Sequence, residues 1–253
     1  MNQRTLKDLL YEQVARIGKA VSSPKRLELL ELLAQGEKTV DVMATELSAD
    51  IKLISAHLKA LRDARLVTSR RDGKYVVYRL TGGDVAGLLV TLREVAEEHL
   101  LELRLALEQM VADPAKLASV GREALLEQAR RGDVVVIDVR PQVEYEAAHL
   151  PFARSMPVAE IEKRLAELPL DKDIVAYCRG PFCLLSDEAV VLLAAKGYRV
   201  RKILDGVSEW QAAGLPVQAS TGELGQPGTG VTHQEPVRRN FNPLQSTIKL
   251  GGQ

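Results

Sequence analysis

The sequence predicts two domains of different class: a mainly α domain closed by a β-hairpin, then an α/β domain with a mainly parallel sheet. Three observations predict this. The chain has 253 residues, and a second core is expected beyond roughly 150. Its first third places apolar residues at helical spacing and ends in alternating residues around an Asp-Gly pair. Past residue 118, short apolar strands alternate with helices, the pattern of a parallel sheet with helical crossovers. The expected division is a first domain at 1–110, a linker at 111–118 around Pro114, a second domain at 119–218 and a flexible tail at 219–253. The tail is rich in Gly, Pro, Thr and Gln and has neither period.

Composition bounds the function classes. Hydrophobic residues make up 46% and charged residues 27%, which is ordinary for a soluble globular protein. The amino terminus "MNQRTLKDLL" lacks a signal-peptide core, and no apolar run approaches the roughly 18 residues of a membrane span. A cytoplasmic protein without membrane contact is expected. Formal charge is zero overall, yet residues 51–80 hold 8 Lys+Arg against 2 Asp+Glu. That local excess suits a polyanion.

In the first domain, "SSPKRLELLELLAQG" sets Ser23 before Pro24, lines Leu27, Leu29, Leu30 and Leu33 on a helical stripe, and stops at Gly36. "TVDVMATEL" is a short helix capped by Thr39, with Val42, Met43 and Leu47 inward. "SADIKLISAHLKALRDARL" is a third helix, with Ile54, Leu58 and Leu61 on one face and Lys52, Ser55, Lys59 and Arg62 on another. "LVTSRRDGKYVVYRL" follows as a hairpin whose tip carries Arg70, Arg71 and Lys74. Such an order is that of a winged helix-turn-helix, in which one helix reads base edges and the wing grips phosphate.

These segments resemble the ArsR family of bacterial transcriptional repressors across residues 10–110. The resemblance implies double-stranded operator DNA as partner, with Ser55, His57, Lys59 and Arg62 on the recognition helix and Arg70, Arg71 and Lys74 on the wing. It also implies a homodimer built from the first helix and the leucine-rich "VAGLLVTLREVAEEHLLELRLALEQM", read as one long helix. The family's metal sites lack counterparts: "TVDVMATEL" has no cysteine, and Asp84 is followed by Ala86 where histidine is expected. Neither a metal nor a cofactor is expected.

In the second domain "GREALLEQARRGD" is helical, "VVVID" a buried strand, "VAEIEKRLAEL" helical, "DIVAYC" a strand, "CLLSDEAVVLLAAKG" helical and "VRKIL" a strand. Both cysteines of the chain lie in "YCRGPFCLLS". Cytosolic thiols are kept reduced, so this pair is expected to be reactive or ligating rather than a staple. Cys178 ends a strand ahead of a helix, where loops of parallel sheets form sites. Loop N-H groups, the helix amino terminus and Arg179 would all favour the nucleophilic thiolate.

"VIDVRPQVEYEAAHLPFARSMP", "IVAYCRGPFC" and "LDGVSEWQAAGLPV" resemble the rhodanese (sulfurtransferase) family over residues 119–218. The resemblance implies sulfur carried on Cys178, with Arg179 beside it and Asp138, Arg140 and Cys183 in support; His149 is structural. Phe152 and Asp205 stand where the pattern has glycines. Cys183 is expected either to pack as a small apolar residue or to attack a persulfide on Cys178 and close a disulfide. A small sulfur donor is implied, whether polysulfide, thiosulfate or a low-molecular-weight persulfide. The expected function is a DNA-binding repressor sensing sulfane sulfur or thiol redox state. The alternatives are a working sulfurtransferase with a DNA-binding accessory, and an arsenite or metalloid sensor using Cys178 and Cys183.

Overall fold

The computed structural model describes residues 2–111 and 116–220. The predicted fold class is observed: a winged helix-turn-helix followed by an α/β domain with a parallel sheet. Residues 112–115 of the expected linker and 221–253 of the expected tail lie outside the described residues. Among the described residues no helix is long and apolar enough to cross a membrane.

The first domain opens with α1 (Gln3–Val21) and α2 (Pro24–Ala34), followed by the two-residue β1 (Lys38–Thr39), α3 (Val40–Glu46) and α4 (Ile51–Asp63). Thr39 caps α3 by accepting from the Val42 N-H, and Asp50 caps α4 by accepting from Lys52 and Leu53. Each satisfies an N-H group that the helix start leaves unpaired. Leu29, Leu30, Met43, Ile54, Leu58 and Leu61 form the fully buried centre of the core. Val42, expected inward, is instead 43% exposed, because the short helix turns Met43 to the core. The wing is β2 (Val67–Asp72) paired with β3 (Tyr75–Leu80), and β1 adds a third antiparallel strand outside β3. Gly73, at φ +58, supplies the left-handed residue that the tight turn requires.

The helix expected to run unbroken after the wing is two helices, α5 (Gly83–His99) and α6 (Leu101–Met110). Leu100 is extended between them, at φ −107 and ψ 105. The leucines on either side of the break hide it from the periodicity.

In the second domain α7 (Arg122–Arg131) leads into β4 (Val134–Asp138), α8 (Gln142–Ala147), the short β5 (Arg154–Ser155) and α9 (Ile161–Arg164), which has single 3-10 turns on both sides. β6 (Asp173–Tyr177), α10 (Leu185–Ala195), β7 (Val200–Lys202) and α11 (Val207–Ala212) complete it. The four strands are parallel in the order β5-β4-β6-β7. Leu117 bridges to Lys202, so the end of the expected linker is already attached to this sheet's edge. β4 and β6 are central and apolar on both faces, packing Ile137, Ile174 and Ala176 to one side and Val136, Val175 and Tyr177 to the other. At their adjacent carboxyl ends Asp138 pairs with Tyr177, the residue before Cys178, while Cys178 packs with Val139 on the other face. The two glycine replacements have local accounts. Phe152 takes φ +65 with the residue about half exposed, and Asp205 pairs with Arg122 at 2.7 Å.

Candidate functional site: a cysteine loop at the domain seam

The residues expected to face a polyanion do not all lie alike. Ser55, Lys59 and Arg62 are exposed on α4, opposite the buried Ile54, Leu58 and Leu61. His57 is half-buried, and helical spacing sets it near the core side rather than on that stripe. On the wing, Arg71 and Lys74 are exposed, and Lys74 lies 5.1 Å from the Tyr75 ring centre. Arg70 is committed differently: its guanidinium binds Glu37 at 2.8 Å and Asp72 at 3.0 Å, so its charge is largely compensated.

The cysteine loop spans the gap between β6 and α10. Cys178 is 2% exposed and packs in the core of the sheet. Cys183 is half-buried, donates its N-H to the Gly180 carbonyl at 3.1 Å, and is disulfide-bonded to Cys178. The Cα atoms are 6.4 Å apart, inside the range a disulfide spans. Gly206, at the start of α11, braces the loop from behind. A Cβ there would lie 2.6 Å from the Arg179 carbonyl and 2.7 Å from that of Cys178. Gly206→Ala must therefore push the loop away, with an expected cost of about 1–3 kcal/mol, read by urea denaturation.

Arg179 does not point its charge at sulfur, as the sequence suggested. Its guanidinium is held by Glu144 at 2.5 Å and 2.9 Å and by Glu46 at 2.7 Å. Two carboxylates outbid a single sulfur, because a partly buried guanidinium needs its donors satisfied.

Glu46 belongs to the helix-turn-helix and Glu144 to the sheet domain, so the loop reaches across the seam. Lys38 completes the cluster, binding Glu144 at 2.7 Å and Glu46 at 3.0 Å. Burial alone would raise the Glu144 carboxyl, but Arg179 and Lys38 outweigh it and hold it below the usual range. With a depressed folded-state pKa, its contribution is present above the unfolded carboxylate pKa and lost as pH falls through the folded value. The seam is therefore expected to weaken in acid.

Two further contacts flank this cluster. Arg140, fully buried, binds Asp138 at 2.5 Å and the Ala148 carbonyl at 2.7 Å, and also donates to Gln35 at the end of α2, at 2.7 Å. Tyr177 donates to Asp138 at 2.6 Å. On the loop's other side Arg93 of α5 binds Glu209 at 2.6 Å, and Glu209 accepts the Gly206 N-H at 2.6 Å. Arg93 also stacks over Phe182 at 5.7 Å. Beside it lies a mainly apolar cavity of about 360 Å³ walled by Leu27, Leu89, Val90, Leu103 and Phe182, with Glu31 in its lining. His149 is buried, stacked on Tyr145, with Nδ1 2.8 Å from the Tyr145 carbonyl oxygen.

Comparison with known proteins agrees with both halves. Residues 23–69 match the model of the bacterial regulatory protein, arsR family, and residues 122–213 match the rhodanese-like domain. The HTH-type transcriptional regulator Rv0324 of Mycobacterium tuberculosis is 43% identical over 85% of this chain and 94% of its own length. The chain belongs to the ArsR family. It is an ArsR-family transcriptional regulator carrying a rhodanese-like domain. A sulfurtransferase of Allochromatium vinosum is 35% identical over 36% of this chain and 83% of its own length. Among solved structures, the homodimeric winged helix-turn-helix DNA-binding domain of Mb0332 from Mycobacterium bovis is 43% identical. It covers 40% of this chain and 93% of its own, at a TM-score of 0.37.

Several residues of this ArsR-family site carried no signal in the sequence. Gln35, Lys38, Glu46, Arg93 and Glu209 read as ordinary polar positions on helices and turns. Their partners lie far along the chain, 106 residues away for Lys38 and Glu144 and 133 for Glu46 and Arg179. Arg140 is marked by the rhodanese resemblance, but as support within one domain, not as a contact between two.

Proposed function

We propose that this regulator is a dimeric, operator-binding repressor of the cytosol whose Cys178 takes up sulfane sulfur, so that its affinity for DNA changes. We place its domains at 1–110 and 119–218, on either side of the linker. The observation that carries the reading is the loop itself. A cysteine at the carboxyl end of a central strand is followed at bridging distance by a second cysteine and tied to the helix-turn-helix by the residue between. Cys178 thiolate attacks the terminal sulfur of a polysulfide, leaving a chain one sulfur shorter and a persulfide on the protein. Cys183 thiol then attacks the inner sulfur of that persulfide; the S-S bond breaks, hydrosulfide leaves with the thiol proton, and the Cys178–Cys183 disulfide remains.

A dimer is supported by two exposed apolar faces, Leu9, Leu10, Tyr11 and Val14 on α1 and Val95, Leu101 and Leu105 on α5 and α6. Apolar surface of that extent marks an interface. DNA contact is assigned to Ser55, Lys59 and Arg62 and to the wing cations Arg71 and Lys74, with a lesser share for Arg70 and His57. Neutralising Arg71 (Arg71→Ala) is expected to weaken binding to all sequences alike and reduce the salt slope by about one unit. A loss confined to one operator sequence would show the wing to be misplaced.

Likeness to a sulfurtransferase favours a second reading, in which Cys178 turns over sulfur as an enzyme. Thiosulfate and cyanide separate the two. Turnover of roughly 1 per second or faster supports the enzyme; stoichiometric uptake with a change in DNA affinity supports the regulator.

A further inference from the structure

Resting on the reading of Cys178 as the sulfur-carrying residue, we infer that Lys38, Glu46, Glu144 and Arg179 form a coupling device. Through them the state of the Cys178–Cys183 loop sets the geometry of the helix-turn-helix. Three observations meet here.

The first is that the loop has little slack. Arg179 follows Cys178 directly, and its carbonyl is pressed against Gly206, where no side chain fits. Gly180 sits at φ +150 with Glu209 3.3 Å from where its Cβ would be. Cys178 itself is 2% exposed. Opening the bridge, or adding a sulfur atom to so enclosed a residue, must displace residues 179–183, and the displacement is felt first at the side chain of Arg179.

The second is the place where Arg179 ends. Glu46 is the last residue of α3, and only residues 47–50 separate it from the recognition helix α4. That turn is tight: Ser48 takes φ +47, in the left-handed region that side chains disfavour. A shift of Glu46 is therefore passed to the start of α4 with few bonds free to absorb it.

The third is that the cluster is balanced. Two cations and two carboxylates alternate, with side-chain exposures of 5% for Lys38, 1% for Glu144, 15% for Arg179 and 23% for Glu46. If Arg179 withdraws from Glu46, that carboxylate loses one of its two cations and Lys38 is left shared between Glu46 and Glu144, which is costly for charges this enclosed. The arrangement thus favours two discrete states, intact or released, over a graded strain.

Glu46→Gln tests this in the full-length protein, since Glu46 touches neither sulfur nor the DNA-facing stripe. Amide hydrogen exchange is followed at residues 46–50 with the bridge closed, and again after opening it with a phosphine. The native protein should show exchange differing at least about fivefold between the two states, and Glu46→Gln should show the same rate in both. Exchange at 46–50 that ignores the bridge in the native protein, or that responds equally in Glu46→Gln, overturns the coupling. Polysulfide uptake by mass and operator affinity are measured on the same samples. If exchange responds to the bridge but polysulfide leaves DNA affinity unchanged, the coupling stands and the sulfur-sensing reading fails.

Discussion

Replacing Arg140 with methionine is expected to cost about 3–5 kcal/mol, because it strands a buried carboxylate. Asp138 is fully buried and receives most of its donors from Arg140, with the Tyr177 hydroxyl as the other side-chain donor. The variant also removes the donors to the Ala148 carbonyl and to Gln35, so a single substitution loosens the sheet domain and the seam together. Against a total stability of about 5–15 kcal/mol for a domain, this is a third or more. Urea denaturation should show the midpoint falling by more than about 1 M. Pairing the change with Asp138→Leu should recover part of the loss, since the uncompensated charge is then gone. A midpoint within experimental scatter of the native one would mean that the Asp138–Arg140 pair does not hold this fold together.

The second large effect is chemical. Cys178→Ser should abolish sulfur uptake from polysulfide while leaving operator affinity of the reduced protein unchanged. A serine hydroxyl is of nearly the same size, so the core around position 178 is preserved, but it is not ionised at neutral pH and forms no persulfide. Intact-protein mass should show the native chain gaining sulfur, or losing two hydrogens on closing the bridge, and the variant doing neither. Cys183→Ser separates the steps: it should gain sulfur on Cys178 and hold it, because no second thiol is present to expel hydrosulfide. If Cys178→Ser still responds to polysulfide in DNA binding, the sensor lies elsewhere in the chain.

Much of this was legible in the sequence, and the parts that were not share a physical cause. Local patterns announce themselves: the Ile54, Leu58, Leu61 stripe is the buried face of α4, the Asp72-Gly73 pair makes the wing, and the apolar run 134–138 is a central strand. Cys178 could be placed at a strand's carboxyl end by the switch from strand to helix periodicity. Contacts between distant charges have no such signature. Arg179 looked like a charge for sulfur because its neighbours in sequence were read, whereas its carboxylates come from positions 46 and 144. Two-residue strands such as β1 and β5 are too short for a period, and the break at Leu100 is disguised by continuing leucines.

The central claim is that sulfur chemistry at Cys178 is read out as DNA affinity. Its most direct measurement is an operator titration of one protein sample before and after polysulfide, with intact mass taken on each. The account predicts that affinity shifts at least about fivefold in proportion to the fraction modified at Cys178. Full modification with an unchanged titration curve would contradict it.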